Sequence, residues 1–364
     1  MDYWRFLVDL LYIVHVLINN LFDKTISLES LLEAWDKFKI GKRKKPDVQV
    51  FEKKLEDNLF NLHEELASKT YRHEPYKEFY IRDPKVRLIH KSSVRDRVVN
   101  HAIFKTLNEI FEPIFIPESY SSRIGKGTHR GVKSLKQHLI EIQKSHGKCF
   151  VLKCDIKKFF HSINHAVLLR IIQTKIKDSD MIWLIRLLLD SFPNRAQFER
   201  ERVGCPIGNL TSQLFANIYL NELDQYITKE LHIKSYLRYT DDFVIVHYDR
   251  EHLTQLITTI RIFLHVKLEL KLHPNKISIR KYRQGIDFLG YVALSRATVL
   301  RTKTKNRILL KIKERVSQLK EGKITEEKFM QILNSYLGVL SHVNSHKIRA
   351  EIMDYIWKNL NSSS

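Results

Sequence analysis

The sequence predicts an α+β protein, and three observations carry that prediction. The run Tyr236-Leu237-Arg238-Tyr239-Thr240-Asp241-Asp242-Phe243-Val244-Ile245-Val246 reads as two β-prone segments meeting at a pair of acids, the pattern of a hairpin. On both sides of it, from Ser27 to Leu66 and from Thr304 onward, apolar residues recur at helical spacing. The chain has 364 residues, 43% hydrophobic and 28% charged, which suits a globular protein with a sizeable core rather than a disordered one.

Lys and Arg total 62 against 41 acids, a net charge of +21. That excess favours a polyanionic partner, nucleic acid first and an anionic membrane surface second, with an inert basic surface as the alternative. The three cysteines, Cys149, Cys154 and Cys205, match no zinc spacing, so reduced thiols in a cytoplasmic protein are expected. Cys154 lies in an apolar run and reads as a small core residue.

The elements follow in chain order. Phe6 to Phe22 is apolar but interrupted by Asp9, His15, Asn19 and Asn20, whereas a membrane span needs about 20 mostly apolar residues. An amphipathic helix, buried or facing a partner, is expected there, with a membrane-associated segment as the alternative. Ser27 caps a helix carrying Leu28, Leu31, Leu32 and Trp35. The basic break Gly41-Lys42-Arg43-Lys44-Lys45-Pro46 precedes a second helix with Phe51, Leu55, Leu59, Leu62 and Leu66 on one face. Phe79-Tyr80-Ile81 and Val86-Arg87-Leu88-Ile89 are short strands around an Asp83-Pro84 turn, followed by a helix from Ser92 to Phe111. Lys85, Arg87, Lys91, Arg95 and Arg97 crowd this region; they suit phosphate oxygens, and a solvated basic face is the other reading.

Ser121 to Gly131 is glycine-rich and basic but lacks the spacing of a Walker loop, so it reads as a flexible loop before a helix with Val132, Leu135 and Leu139. Phe150 to Cys154 is an apolar strand ending in Asp155, with Phe159 and Phe160 close behind; Asp155 could equally be a helix cap. Helices cover Leu168–Ile172 and Met181–Leu189. The turn-rich Gly204–Gln213 loop opens another helix, where glycine allows close backbone approach to a ligand. After the acidic hairpin come a helix from Leu253 to Leu264, a Pro274-Asn275-Lys276 turn, a strand at Ile277–Ile279, a strand or hairpin at Gly285–Tyr291, and basic helices to the end.

Two adjacent carboxylates repel, and ionised beside an apolar core they need a positive charge on them. A hard cation such as Mg²⁺, which takes oxygen ligands, meets that need, while a plain polar turn is the ordinary alternative because Asp is a common turn residue.

In order, the landmarks are one Asp ending a strand, a Gly-containing loop opening a helix, Tyr-Thr-Asp-Asp, Pro-Asn-Lys, Phe-Leu-Gly and a basic helical tail. Over residues 80 to 340 this order resembles the palm, primer grip and thumb of reverse transcriptases, closest to bacterial group II-intron-like enzymes. The run Ile207-Gly208-Asn209-Leu210-Thr211-Ser212-Gln213 is similar to the enzyme of diversity-generating retroelements; group II intron relatives carry Gln in place of Ile207 and Pro in place of Gln213.

The resemblance implies a right-hand polymerase fold: an N-terminal helical extension over 1–75, fingers and palm over 76–300, and a helical thumb over 301–364. It implies RNA-directed DNA polymerisation with two Mg²⁺ ions (or Mn²⁺) held at Asp155, Asp241 and Asp242 with Ile156 beside them. Lys85 and Arg87 would hold the incoming triphosphate, Phe160 would be the steric gate, and Ile207 and Gln213 would lie at the nascent pair. Arg95, Arg97, Arg123 and Lys276 would touch nucleic acid, and Phe159 would be core. The implied partners are an RNA template, a primer, dNTPs and a small basic accessory protein. Another bacterial reverse transcriptase, for instance of phage defence, and a non-catalytic maturase-like RNA-binding protein are the competing readings. Without paired cysteines or a long tail, no nuclease or zinc module is expected.

Overall fold

The computed structural model describes residues 20–82, 85–192 and 203–360. Most of the apolar N-terminal segment and the Asp83-Pro84 turn therefore lie outside the described residues. In chain order the elements are α1 (Leu21–Ile26), α2 (Leu28–Lys39), α3 (Pro46–Glu52), α4 (Leu55–Ala67), β1 (Lys77–Ile81), β2 (Arg87–Lys91), α5 (Val94–Phe111), α6 (Thr128–His146) and β3 (Phe150–Asp155). They continue with α7 (Phe159–Ser162), α8 (His165–Gln173), α9 (Ser179–Asp190), α10 (Leu210–Gln225), β4 (Tyr236–Tyr239), β5 (Asp242–His247) and α11 (Arg250–Leu268). The last are β6 (Ser278–Lys281), β7 (Ile286–Phe288), β8 (Tyr291–Ala293), β9 (Thr298–Leu300), α12 (Thr302–Lys320), α13 (Glu326–Leu340) and α14 (His346–Leu360). The fold is α+β, with antiparallel pairing in its strand ladders.

The chain divides into two compact units, each gathered from separate segments. The first takes residues up to Pro117, Asp155–His232 and Thr259–Pro274. It is mainly helical, with α5 packed against α2 and α10. Side-chain caps start several of its helices: Ser27 accepts from the Ser30 amide, Ser93 from Asp96, and Asn164 from Ala166 and Val167. Helix α10 is buried nearly all round, from Thr211 and Leu214 to Leu223 and Asp224, which explains its weak amphipathicity. The antiparallel β1–β2 hairpin pairs Lys77 with Lys91 and Ile81 with Arg87.

The second unit takes Glu118–Cys154, Ile233–Thr258 and Asn275 onward. Its main sheet has the order β4-β5-β3-β6, and β7-β8-β9 form a smaller one. Leu135 and Leu139 of α6, Leu237 and Val244 of the β4–β5 hairpin, and Phe288 and Tyr291 share one core. A separate core of Ile308, Ile312, Phe329, Leu333, Leu340 and Ile352 joins α12, α13 and α14.

The structure corrects two sequence expectations. The helix expected across Phe51–Leu66 is two helices, because the chain turns at Lys53–Lys54 and the Asn58 side-chain amide donates to the Phe51 carbonyl at 2.9 Å. Leu32, placed on the buried face of α2, is 46% exposed, while Leu31, Trp35 and Phe38 form that face. Strand β9 was not anticipated, since three partly buried residues carry too short a pattern.

Asp96 anchors the first unit. Its side chain is fully buried and accepts from the Tyr71 hydroxyl (2.7 Å), the Glu74 amide (3.1 Å) and the Ser93 hydroxyl (2.8 Å). Burial and the Asp96 charge push the Tyr71 hydroxyl well above its ordinary pKa, so it remains a donor. Asp96→Ala strands those donors and is expected to lower the unfolding free energy by on the order of 3 kcal/mol, measured by urea denaturation at pH 7.

Candidate active site

The acidic hairpin is built within the second unit. Strands β4 and β5 pair Tyr236 with Ile245 and Tyr239 with Asp242, leaving Thr240-Asp241 as a two-residue turn. Asp241 thus stands at the tip and Asp242 opens β5, both half-buried. Asp242 is held from the sheet: Lys153 of β3 places its Nζ 3.4 Å from Asp242 Oδ2 and donates to the Asp287 carbonyl at 3.1 Å. The lysine supplies the positive charge that one of the two carboxylates requires.

The turn itself is strained. Thr240 has φ +53°, a region in which a β-branched residue is an outlier costing about 1–3 kcal/mol. Its carbonyl accepts from Arg238 Nη1 at 3.1 Å, and its hydroxyl donates to Ser121 Oγ at 2.7 Å. Arg238 is fully buried and also donates from Nη2 to Ser119 Oγ at 3.1 Å. Main-chain bonds from Arg238 N to Glu118 O (3.0 Å) and from Tyr120 N to Arg238 O (2.9 Å) lay residues 118–120 along β4. Arg123, expected on nucleic acid, donates to the Ser119 carbonyl at 3.0 Å. Lys276 is exposed in a short turn.

The remaining sequence-derived candidates belong to the first unit. Strand β3 ends on Asp155, whose carbonyl accepts from the His273 amide at 2.8 Å; Ile156 is buried and bridges to Leu272. Phe159 is buried, as expected, against Phe160 and Tyr219. Phe160 is half-buried, and its carbonyl accepts from the Cys205 amide at 2.7 Å. The Gly204–Gln213 loop is pinned in turn: the Ile207 carbonyl accepts from the His90 amide (3.2 Å), and Asn209 Oδ1 accepts from the Ser92 hydroxyl (3.0 Å). Gly208, at φ +122°, passes so close to Ile89 that a Cβ would stand 3.0 Å from its methyl. Ile207 is left half-exposed, and Gln213, on the first turn of α10, is exposed.

The cationic residues divide by partner. Lys85 and Arg87 are exposed on the β1–β2 hairpin. Arg95 instead pairs with Glu65 and lies over the Tyr71 ring, and Arg97 donates to Asp47 at 2.8 Å and lies over Phe38. A phosphate would have to compete with those carboxylates. Sequence reasoning overlooked a cleft of about 350 Å³ lined by Phe38, Lys42, Lys45, Lys91, His101 and Gln213, among others. Burial, then Arg97 and Lys45, lower the Lys42 pKa, and burial with Lys42 holds His101 near 4. Such mutual repulsion suits an anion.

Among the described residues, no three His, Cys, Asp or Glu side chains already cluster as a metal site. The donors that the sequence singles out, Asp155, Asp241, Asp242 and the Ile156 main chain, offer hard oxygens, which fits Mg²⁺. Among the described residues no helix is long and apolar enough to cross a membrane.

Glu118 ties the hairpin's flanking segment to α6. Burial raises its carboxyl pKa, but bonds from His138, Tyr120 and Ser134 outweigh this and bring it to about 2. Because the folded value lies below the ordinary 4.5, its stabilisation is complete above pH 4.5 and is lost as pH falls toward 2. Glu118→Gln is expected to flatten the acid limb of stability in that window, read from urea midpoints between pH 5 and 2.

The chain has relatives among known proteins. The chain is similar to the group II intron-encoded protein LtrA of Lactococcus lactis subsp. cremoris, 25% identical, over 65% of this chain and 49% of that protein. It is also similar to the protein YkfC of Escherichia coli K12, 25% identical over 66% of this chain and 72% of that one. It thus spans about half the length of the first of these relatives. Among solved structures, an apo telomerase from Candida tropicalis is matched with TM-score 0.46 and 12% identity, over 65% of this chain and 58% of that one. Residues 81–293, more than half of the chain, match the family described as reverse transcriptase (RNA-dependent DNA polymerase), and the chain belongs to that family.

Proposed function

We propose that the chain is an RNA-directed DNA polymerase that copies an RNA template into cDNA by nucleotidyl transfer. The observation that carries this is the Thr240-Asp241 turn: a carboxylate at the tip of a braced hairpin, in a chain whose residues 81–293 match the reverse transcriptase family. Asp155 and Asp241 are the assigned ligands of divalent ions, with the Ile156 carbonyl beside Asp155. Asp242, paired with Lys153, sets the hairpin from the sheet side. Mg²⁺, when bound, would lower the pKa of the primer hydroxyl and offset charge on the departing pyrophosphate.

The protein's own groups do the rest. Lys85 and Arg87 are exposed on their hairpin, unlike Arg95 and Arg97, which are engaged by Glu65 and Asp47, and they are assigned to the triphosphate. The half-buried Phe160 ring, packed against Phe159, is assigned to the sugar, where it would exclude a 2′-hydroxyl. The cleft lined by Lys42 and Lys45 would take template or primer phosphates, and Arg123 and Lys276 are separately assigned to nucleic acid. The right-hand assignment of fingers and palm to 76–300 and thumb to 301–364 goes with this reading.

The finer proposal is an error-prone enzyme of a diversity-generating retroelement, working with a small basic accessory protein. Its support is the Ile207–Gln213 run. The Ile207 main chain is held by His90, so the departure from Gln is one of side-chain chemistry: an Ile cannot hydrogen-bond near the base pair.

Asp241→Asn is expected to cut primer extension in Mg²⁺ by at least about 100-fold while sparing RNA binding. Extension at the original rate would refute the metal assignment, and RNA binding without any extension by the wild-type chain would favour a non-catalytic RNA-binding protein. Ile207→Gln is expected to lower misincorporation opposite template adenines, measured by sequencing the cDNA; an unchanged error spectrum would remove Ile207 from fidelity.

A further inference from the structure

The contacts around Thr240 form a connected chain that the polymerase reading does not itself require. They begin at α6, whose Ser134 donates to Glu118 at 2.8 Å, as does the Tyr120 hydroxyl. Glu118 leads into residues 119–121, which lie along β4 through the Arg238 main chain. From that segment Ser119 receives the Arg238 guanidinium and Ser121 receives the Thr240 hydroxyl, while the same guanidinium donates to the Thr240 carbonyl. Both faces of the turn residue, carbonyl and hydroxyl, are thereby fixed, and the residue so fixed has a backbone conformation that a β-branched side chain resists.

We propose that Arg238, Ser119, Ser121 and Thr240 are positioning residues that hold the adjacent Asp241 carboxylate in its metal-ligating orientation. Three features support a role beyond general packing. Arg238 is fully buried, and a buried cation in a sheet is costly when Leu or Val would fill the space, so its donors must do something an apolar residue cannot. A planar guanidinium can address two acceptors at once, whereas an ammonium is a point charge. The contacts also converge on the residue next to Asp241, and groups that orient a metal ligand change metal affinity without touching the metal.

This inference rests on the polymerase reading, and the test separates the two. The full-length chain is compared with Ser121→Ala, Thr240→Val, Thr240→Ser and Arg238→Lys. Two quantities are read: Mn²⁺ binding by electron paramagnetic resonance, and the Mg²⁺ concentration at half-maximal primer extension. Ser121→Ala and Thr240→Val are expected to raise both half-saturation points by about 10-fold with an unchanged KM for dNTP. Thr240→Ser, which keeps the hydroxyl, should stay near wild type, and Arg238→Lys should not restore the wild-type value. Melting curves accompany each variant; if Arg238→Lys fails to fold, the Ser121 and Thr240 variants decide. Lower melting temperatures with unmoved metal half-points would overturn the positioning role and leave the polymerase reading intact. A wild-type chain that neither extends a primer nor binds Mn²⁺ would overturn both.

Discussion

Two like charges on neighbouring residues, Asp241 in the turn and Asp242 opening β5, are the constraint on which the site depends. Adjacent carboxylates repel, and each needs positive charge or hydrogen-bond donors near it. The sheet relieves one by bringing Lys153 to Asp242, and it is the β3 neighbour, not the hairpin, that supplies the lysine. The turn geometry that remains is unfavourable for Thr240 and persists because Arg238 and Ser121 hold that residue from two sides. The order of strands thus makes the acidic tip possible before any ligand arrives.

The cation excess is organised by the same principle of pairing. Arg95 and Arg97 meet Glu65 and Asp47 and work as internal ties, lying over Tyr71 and Phe38. Lys91 also meets Asp47, whereas Lys42 and Lys45 line a cleft with His101, which burial and its cationic neighbours keep neutral at physiological pH. Asp47 stands between the two groups, since it pairs with both Arg97 and Lys91 and both cations line the cleft. Surface pairs contribute little to stability, so the cleft's positive potential bears on polyanion binding more than on folding.

Much of the architecture was legible because period and capping agree. Ser27, Ser93 and Asn164 cap the helices as acceptors of backbone amides, and the apolar repeats behind them lie in the core. The hairpin was legible because β-branched and aromatic residues flank its acids. The break at Lys53–Lys54 was not, since the apolar repeat runs through it and the turn is secured by a side chain seven residues from its acceptor. Lys153 was passed over as one more basic residue, although it stands two positions before Asp155 on the same strand, and alternation in a strand is the signal that could have found it.

By itself the sequence determined the element types, the adjacency of Asp241 and Asp242, and the order of motifs that marks a reverse transcriptase, because these depend on residue type and spacing along one dimension. Only the tertiary structure decided which cations are tied up, that Lys153 reaches Asp242, and what holds the turn. Ser119 and Ser121 stand more than a hundred positions from Arg238, and the three acquire a role only where one segment lies along β4. Hydrogen bonds and ion pairs act over about 3–4 Å in space, and no pattern along the chain encodes which distant groups will come within that reach.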